Sequence, residues 1–200
     1  MFRKTFFGRD LSTLIDSIGR LREEFCEGYR PTVSVALMAG NEVLLVQSTK
    51  RLTGEMASWL LPQKGIENGK TVYEAVSRGL KVELDLDFSE TQLLALEQNR
   101  MFRIVGSYVN EPRSDGAEPK LIVAVAIQVN WLGADIRLNA GNMRYAFING
   151  PHVLWQLMRG TRQRKVVGIL ETIEAAHRSG LIGWSCRDVL DTVLENGVAA

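Results

Sequence analysis

The stretch from Leu61 to Thr71, LPQKGIENGKT, places two lysines, a glutamate and two glycines between an apolar run and a helix, and it ends in Gly-Lys-Thr. The chemistry such residues share is the holding of phosphates, by glycine backbone N–H groups and ammonium charge. One form of it, the P-loop, needs a glycine, four residues, then Gly-Lys-Ser or Gly-Lys-Thr. Here Gly65 precedes Gly69 by three residues, and Lys64 stands where the glycine belongs. A side chain at that point opposes the backbone conformation and close approach that an anion nest requires. No later strand supplies an aspartate as second metal anchor, since LLALEQ and VAIQVN both lack one. The P-loop is therefore disfavoured. Gln63, Lys64, Glu67 and Lys70 remain candidates for binding a ligand, against the plainer alternative of solvated side chains in a polar turn.

The helix expected to follow is TVYEAVSRGLKVEL. At 3.6 residues per turn, Val72, Val76, Leu80 and Leu84 form one stripe, the side for a core. Ala75, Gly79, Val82 and Glu83 lie on a neighbouring face with a single carboxylate among them. A hard divalent cation held by one protein oxygen keeps most of its water and binds weakly. Gly79 costs about 1 kcal/mol in a helix interior relative to alanine, so its presence needs a reason. Glu83 is a candidate metal ligand and catalytic residue; otherwise it is a surface carboxylate or the partner of a basic residue in the turn. Arg78 is the second catalytic candidate, orienting Glu83 or an acidic loop, or else forming a helix salt bridge with Glu74 four residues before it.

The elements that must position these groups follow from periodicity. Residues 11 to 27 carry Leu11, Leu14, Ile15, Ile18, Leu21 and Phe25 at helical spacing, stopped by Gly28. TVSVALMA and EVLLVQS read as strands joined at Gly40-Asn41, a hairpin signal. WLLP reads as a short buried strand ended by Pro62. After the central helix, TQLLALEQ, MFRIVGSYV and KLIVAVAIQV read as strands, with the polar loop NEPRSDGAEP between the last two. Another strand is expected near Arg144 to Ile148. Three helices close the chain, after Pro151, from Arg162 to Arg178 and from Trp184 to Glu195. Strands and helices do not alternate regularly, so an α+β layout is favoured over a doubly wound parallel sheet.

Residues 59 to 86, WLLPQKGIENGKTVYEAVSRGLKVELDL, resemble the signature of the Nudix hydrolases. That signature runs glycine, five residues, glutamate, seven residues, then Arg-Glu-U-x-Glu-Glu-x-Gly-U, with U aliphatic. Arg78, Leu80, Glu83 and Leu86 match it. Lys64 replaces its first glycine, Lys70 its first glutamate, Gly79 and Val82 two helix glutamates, and Asp85 the closing glycine. The resemblance implies a Nudix-like α/β/α sandwich with a mixed sheet over residues 31 to 178. An N-terminal helical extension over residues 1 to 30 and a C-terminal helix over residues 179 to 200 are expected outside it. It further implies a nucleotide or nucleoside-diphosphate-linked ligand. Two functions follow: a binding protein with weak or lost hydrolysis, or a working pyrophosphohydrolase that uses Mg or Mn. The second would join Glu83 to carboxylates outside the box, such as Glu67, Glu111, Asp115 or Glu118. A third, plainer class is a structural partner-binding domain.

Other features add limits. Lys plus Arg number 24 against 23 Asp plus Glu, so global charge gives no pull toward nucleic acid or membrane. Arg159, Arg162, Arg164 and Lys165 are a local candidate for RNA or an acidic partner, although such runs are most often solvated. No apolar run approaches the roughly 18 residues of a membrane span, and the N-terminus does not read as a signal peptide. Two cysteines, Cys26 and Cys186, fit buried thiols in a reducing cytoplasm better than a disulfide framework. His152 and His177 show no zinc spacing. Trp59, Tyr73 and Phe102 are candidates for stacking on a base or for ordinary core positions. The C-terminal helices are candidates for packing on the domain or for a homodimer contact.

Overall fold

The computed structural model describes residues 14–22, 26–48, 59–110, 119–130, 136–138, 142–159 and 163–196. Seven strands make one mixed sheet: β1 (Arg30–Ala39), β2 (Glu42–Ser48), β3 (Trp59–Leu60), β4 (Gln63–Gly65), β5 (Phe102–Asn110), β6 (Lys120–Val129) and β7 (Asn142–Ile148). The main path runs β3-β2-β1-β6-β5, with β4 paired to β1 and β7 to β2. β1 and β6 run parallel from Arg30↔Lys120 to Ala39↔Val129, and the other pairings are antiparallel. Gly40, at φ 60°, turns the β1–β2 hairpin.

Side-chain alternation along β1 divides the core in two. Val33, Val35 and Leu37 face one cluster, shared with Val123, Val125 and Ile127 of β6. Ala36 and Met38 face the other, shared with Leu45 of β2. The first face is covered by α1 (Val72–Leu84), whose Val72, Val76, Leu80 and Leu84 are all fully buried, and by α2 (Glu90–Gln98) through Leu93. The second is covered by α3 (Pro151–Met158), α4 (Gln163–Arg178) and α5 (Arg187–Asn196). Helices on both faces of a mixed sheet give the expected α/β/α sandwich. No helix among the described residues is long and apolar enough to cross a membrane.

Three local expectations change. TQLLALEQ is helical as α2, not a strand. Ser89 accepts from Gln92 N at 3.2 Å while Ser89 N donates to Gln92 Oε1 at 2.8 Å, a capping box that fixes the helix start. The residues after it are strong helix formers, which outweighs the short apolar run. Residues 15–22 do not continue a helix either. Asp16 Oδ1 accepts from Ile18 N and Arg20 N, Gly19 takes φ 81°, and Ile15 bridges Leu21, so the chain folds back. That turn docks on α1: Val72 N donates to Gly19 O at 2.8 Å, and a Cβ on Gly19 would lie 2.5 Å from Tyr73 Cε2. Third, Gln63 to Gly65 belong to a strand rather than to the polar turn.

Candidate functional site

Strand β4 and helix α1 build the wall on which the candidate residues sit. Lys64 pairs with Val33 in the antiparallel register, and cross-strand partners share a face. Val33 lies in the core beneath α1, so the Lys64 stem runs under the same helix. It meets Gly79 there: a Cβ on Gly79 would lie 2.9 Å from Lys64 Cβ and 3.7 Å from Cγ. One turn further along, Glu83 is half-buried, and its Oε1 accepts from Gln63 N at 3.4 Å. Lys64, Glu83 and the backbone N–H of Gln63 therefore share one wall with Gly79, while the Gln63 side chain, on the alternate position of β4, belongs to the other face.

The turn before α1 is held differently. Thr71 caps the helix, accepting from Glu74 N at 3.0 Å, while Thr71 N donates to Glu74 Oε2 at 2.8 Å. Lys70 Nζ pairs with Glu74 Oε1 at 2.9 Å, so Glu74 is committed to the cap and to Lys70. The Glu74–Arg78 salt bridge weighed from spacing does not form. Arg78 turns to the strand instead, donating through Nη2 to Gly65 O at 2.8 Å and pairing through Nη1 with Glu67. The Arg78 hydrogen bond and charge hold the Glu67 carboxyl below the usual range, with smaller help from Lys64 and Lys70. Glu67 and Lys70 line a hollow of about 730 Å³ with Asp16, Arg20 and Arg22, outside the Lys64–Gly79 wall. The six candidates thus fall into two groups, with Arg78 between them.

The remaining candidates resolve into structural roles or lie elsewhere. Tyr73 and Phe102 stack on each other with ring centroids 5.3 Å apart, and both are buried, so neither presents a face to a base. Tyr73 donates to Glu97 Oε2 at 2.8 Å. Trp59 packs on the opposite core. His177 Nδ1 meets Ile182 O at 3.1 Å and His152 meets Gln156, both far in sequence from the wall. Neither cysteine is in a disulfide; burial pushes the Cys186 thiol up to about 12, and its Sγ donates to Leu170 O, whereas Cys26 is half-buried rather than buried as expected. Glu111, Asp115, Glu118 and Arg162 fall outside the described residues.

A NUDIX domain model matches residues 28–134, more than half of the 200-residue chain. The chain belongs to the Nudix family. Human 8-oxo-dGDP phosphatase NUDT18 is 37% identical over 79 residues, 40% of this chain and 23% of that protein. The chain therefore spans less than a quarter of that relative's length. A NUDIX hydrolase from Nitrosomonas europaea superposes with a TM-score of 0.54 at 19% identity, covering 75% of this chain and 89% of its own. A bifunctional NMN adenylyltransferase/ADP ribose pyrophosphatase from Francisella tularensis, complexed with AMP and a Mn ion, gives 0.54 at 16% identity, covering 74% of this chain and 42% of its own. Both structural likenesses are likenesses of fold.

Nudix hydrolysis uses a divalent cation, and such a cation needs several oxygens. On the wall of this Nudix chain, Glu83 is the one carboxylate of the helix face, while Gly79 and Val82 offer none. The Lys64 stem fills the space a side chain at position 79 would need. Among the described residues, no three His, Cys, Asp or Glu side chains are gathered in a way that would hold a metal. The described donor set does not fit a divalent metal. The scaffold side of the signature is intact by contrast: Asp85 takes the left-handed φ of 58° that its closing glycine would adopt, and Leu86 N reaches back to Leu80 O at 3.3 Å. Sequence reading missed the contact between Lys64 and Gly79. Its signal was the Leu-Pro step before Gln63, which allows a second short strand.

Proposed function

We propose that this chain binds a nucleotide or nucleoside-diphosphate-linked ligand at the Gln63–Lys64–Glu83 wall, with hydrolysis weak or lost. The observation that carries this reading is the Lys64–Gly79 contact, which places a cationic side chain over the position of a helix glutamate. Support for a nucleotide-type ligand comes from family membership and from the nucleotide chemistry in the names of its relatives. A wall with a single carboxylate lacks the means to neutralise phosphate through a metal and to activate water on it. Without a metal the reaction would lose its Lewis acid and its activated water, and the Lys64 ammonium would be left to supply counter-charge for binding.

The test is a panel of nucleotide sugars, dinucleoside polyphosphates and nucleoside diphosphates, assayed for turnover with Mg²⁺ and Mn²⁺ and for thermal stabilisation without them. A bound ligand raises the unfolding midpoint by mass action. The expected result is stabilisation by at least one compound with no metal-dependent turnover. Metal-dependent turnover that collapses in Glu83→Gln would instead establish a working pyrophosphohydrolase drawing carboxylates from elsewhere in the chain.

A further inference from the structure

Four cations lie on the segment from β4 to the end of α1, and three are neutralised. Lys70 pairs with Glu74, Arg78 with Glu67 and Gly65 O, and Lys81 with Asp85 and Asp87. Lys64 has no carboxylate partner among the described residues, although it is half-buried. The root of its side chain is placed by the strand register opposite Val33 and by the approach of Cβ and Cγ to Gly79, so the side chain leaves the strand on the helix side. A lysine so placed lays its methylenes on the apolar wall and carries its ammonium to the wall's rim. Its field reaches the neighbouring turn, where it contributes to holding Glu67 ionised.

We propose that Lys64 and Gly79 form a coupled exchange that makes this wall a metal-independent diphosphate site, the Lys64 ammonium acting as the counter-charge where a carboxylate would otherwise receive a divalent cation. The exchange has two parts. Gly79 removes a side chain from the helix, and the Lys64 stem occupies the vacated space, so the swap keeps the wall packed while reversing its charge. A cation without a carboxylate partner among the described residues repels Mg²⁺ and attracts the oxygens of a diphosphate, for which an ammonium is an effective point-charge donor. This inference rests on the nucleotide-binding reading above and goes beyond it by naming the part of the ligand recognised and the residue that recognises it.

Calorimetric titration of the full chain with inorganic pyrophosphate, once in EDTA and once in Mg²⁺, tests it. The chain should bind pyrophosphate in EDTA, more weakly as salt rises. Lys64→Met keeps the stem on Gly79 and removes the charge, and it should weaken binding about tenfold or more, as for loss of a charged hydrogen bond. Lys64→Gln should do the same, and Lys81→Met should leave binding unchanged. Pyrophosphate binding that requires Mg²⁺, or that survives intact in both Lys64 variants, overturns the proposal. So does failure to bind pyrophosphate when a nucleotide of the panel does bind, a result that leaves the nucleotide-binding reading standing. If no nucleotide stabilises the chain, that reading fails first and takes this inference with it.

Discussion

On one side of α1, Val72, Val76, Leu80 and Leu84 are sealed against the sheet; on the adjoining side, Ala75, Gly79, Val82 and Glu83 run beside the candidate wall. Both sides belong to one helix and share its cap, its register and its left-handed end at Asp85. The first side is apolar throughout and includes Leu80, one of the signature's two aliphatic positions. The second keeps one acid out of three positions where the signature has glutamate. The demands on the two sides differ in kind. Burial is enforced by the folding free energy of the whole domain, so any loss there is felt at once. The acid of the other side lies outside the apolar core, where Glu83 is half-buried and accepts from Gln63 N. The difference teaches that the packed side of this helix can be kept while acids of the adjoining side are replaced, provided the space a lost side chain leaves is filled again.

The strongest way to break that comparison is to attack the packed side. Leu80→Ala removes a fully buried side chain from the contact between α1 and the sheet. It should lower unfolding stability by about 2–5 kcal/mol, read from the shift of the urea midpoint. A loss well below this range would mean that α1 is less essential to the core than its burial implies.

The next largest effect sharpens the other side. Gly79→Glu drives a Cβ to within 2.9 Å of Lys64 Cβ. That carbon cannot swing away, because β4 is anchored to β1 through its register and through Ile66 N donating to Pro31 O at 2.9 Å. Overpacking of this sort costs about 1–3 kcal/mol. In a Lys64→Gly background the same substitution should be nearly neutral, since the space is then open. Equal costs in the two backgrounds, in a double-mutant cycle, would show that the two positions are not coupled.

How much of this was legible in the sequence depends on whether the signal was local. The β1–β2 hairpin at Gly40-Asn41 and the α1 stripe follow from spacing alone, and the structure has both. The stretch at residues 90–98 misled because its leucines were weighed and its Ser89–Gln92 capping box was not. Residues 15–22 misled because helical spacing of apolar residues says nothing about Asp16 and Gly19, whose local hydrogen bonds and positive φ reverse the chain. At the site, the substitutions in the box were plain from the sequence. The meeting of Lys64 with Gly79 was not, because it depends on β4 pairing with Thr32–Ser34, a contact between segments some thirty residues apart. The side-chain roles expected of Arg78 likewise do not include the carbonyl of Gly65, a backbone group no side-chain pattern announces.

A smaller effect is expected at the end of α1, where the two sides meet. Asp85 holds φ 58°, a conformation that glycine takes more easily, yet its carboxylate pairs with Lys81 at 3.0 Å. Asp85→Gly relieves the backbone and removes an exposed ion pair, effects of opposite sense of which the screened ion pair is the weaker. A slightly higher thermal midpoint is expected. A clear loss would show that the Lys81 pair, rather than the backbone, stabilises this end.

The smallest effect concerns the turn that joins β4 to α1. Arg78 grips it twice, through the Gly65 carbonyl and through Glu67. The carbonyl bond does not titrate, but the Glu67 pair does. Since the folded chain holds the Glu67 carboxyl below its ordinary value, chiefly through the Arg78 hydrogen bond, the pair contributes above the usual carboxylate range and is lost as pH falls through the depressed value. Glu67 is exposed, so the contribution is slight. Glu67→Gln should therefore lie just below the parent in thermal midpoint at pH 7, and the two should converge in acid. A gap that stays constant with pH would mean that the carboxylate charge plays no part, and that Gly65 alone lets Arg78 hold the wall in place.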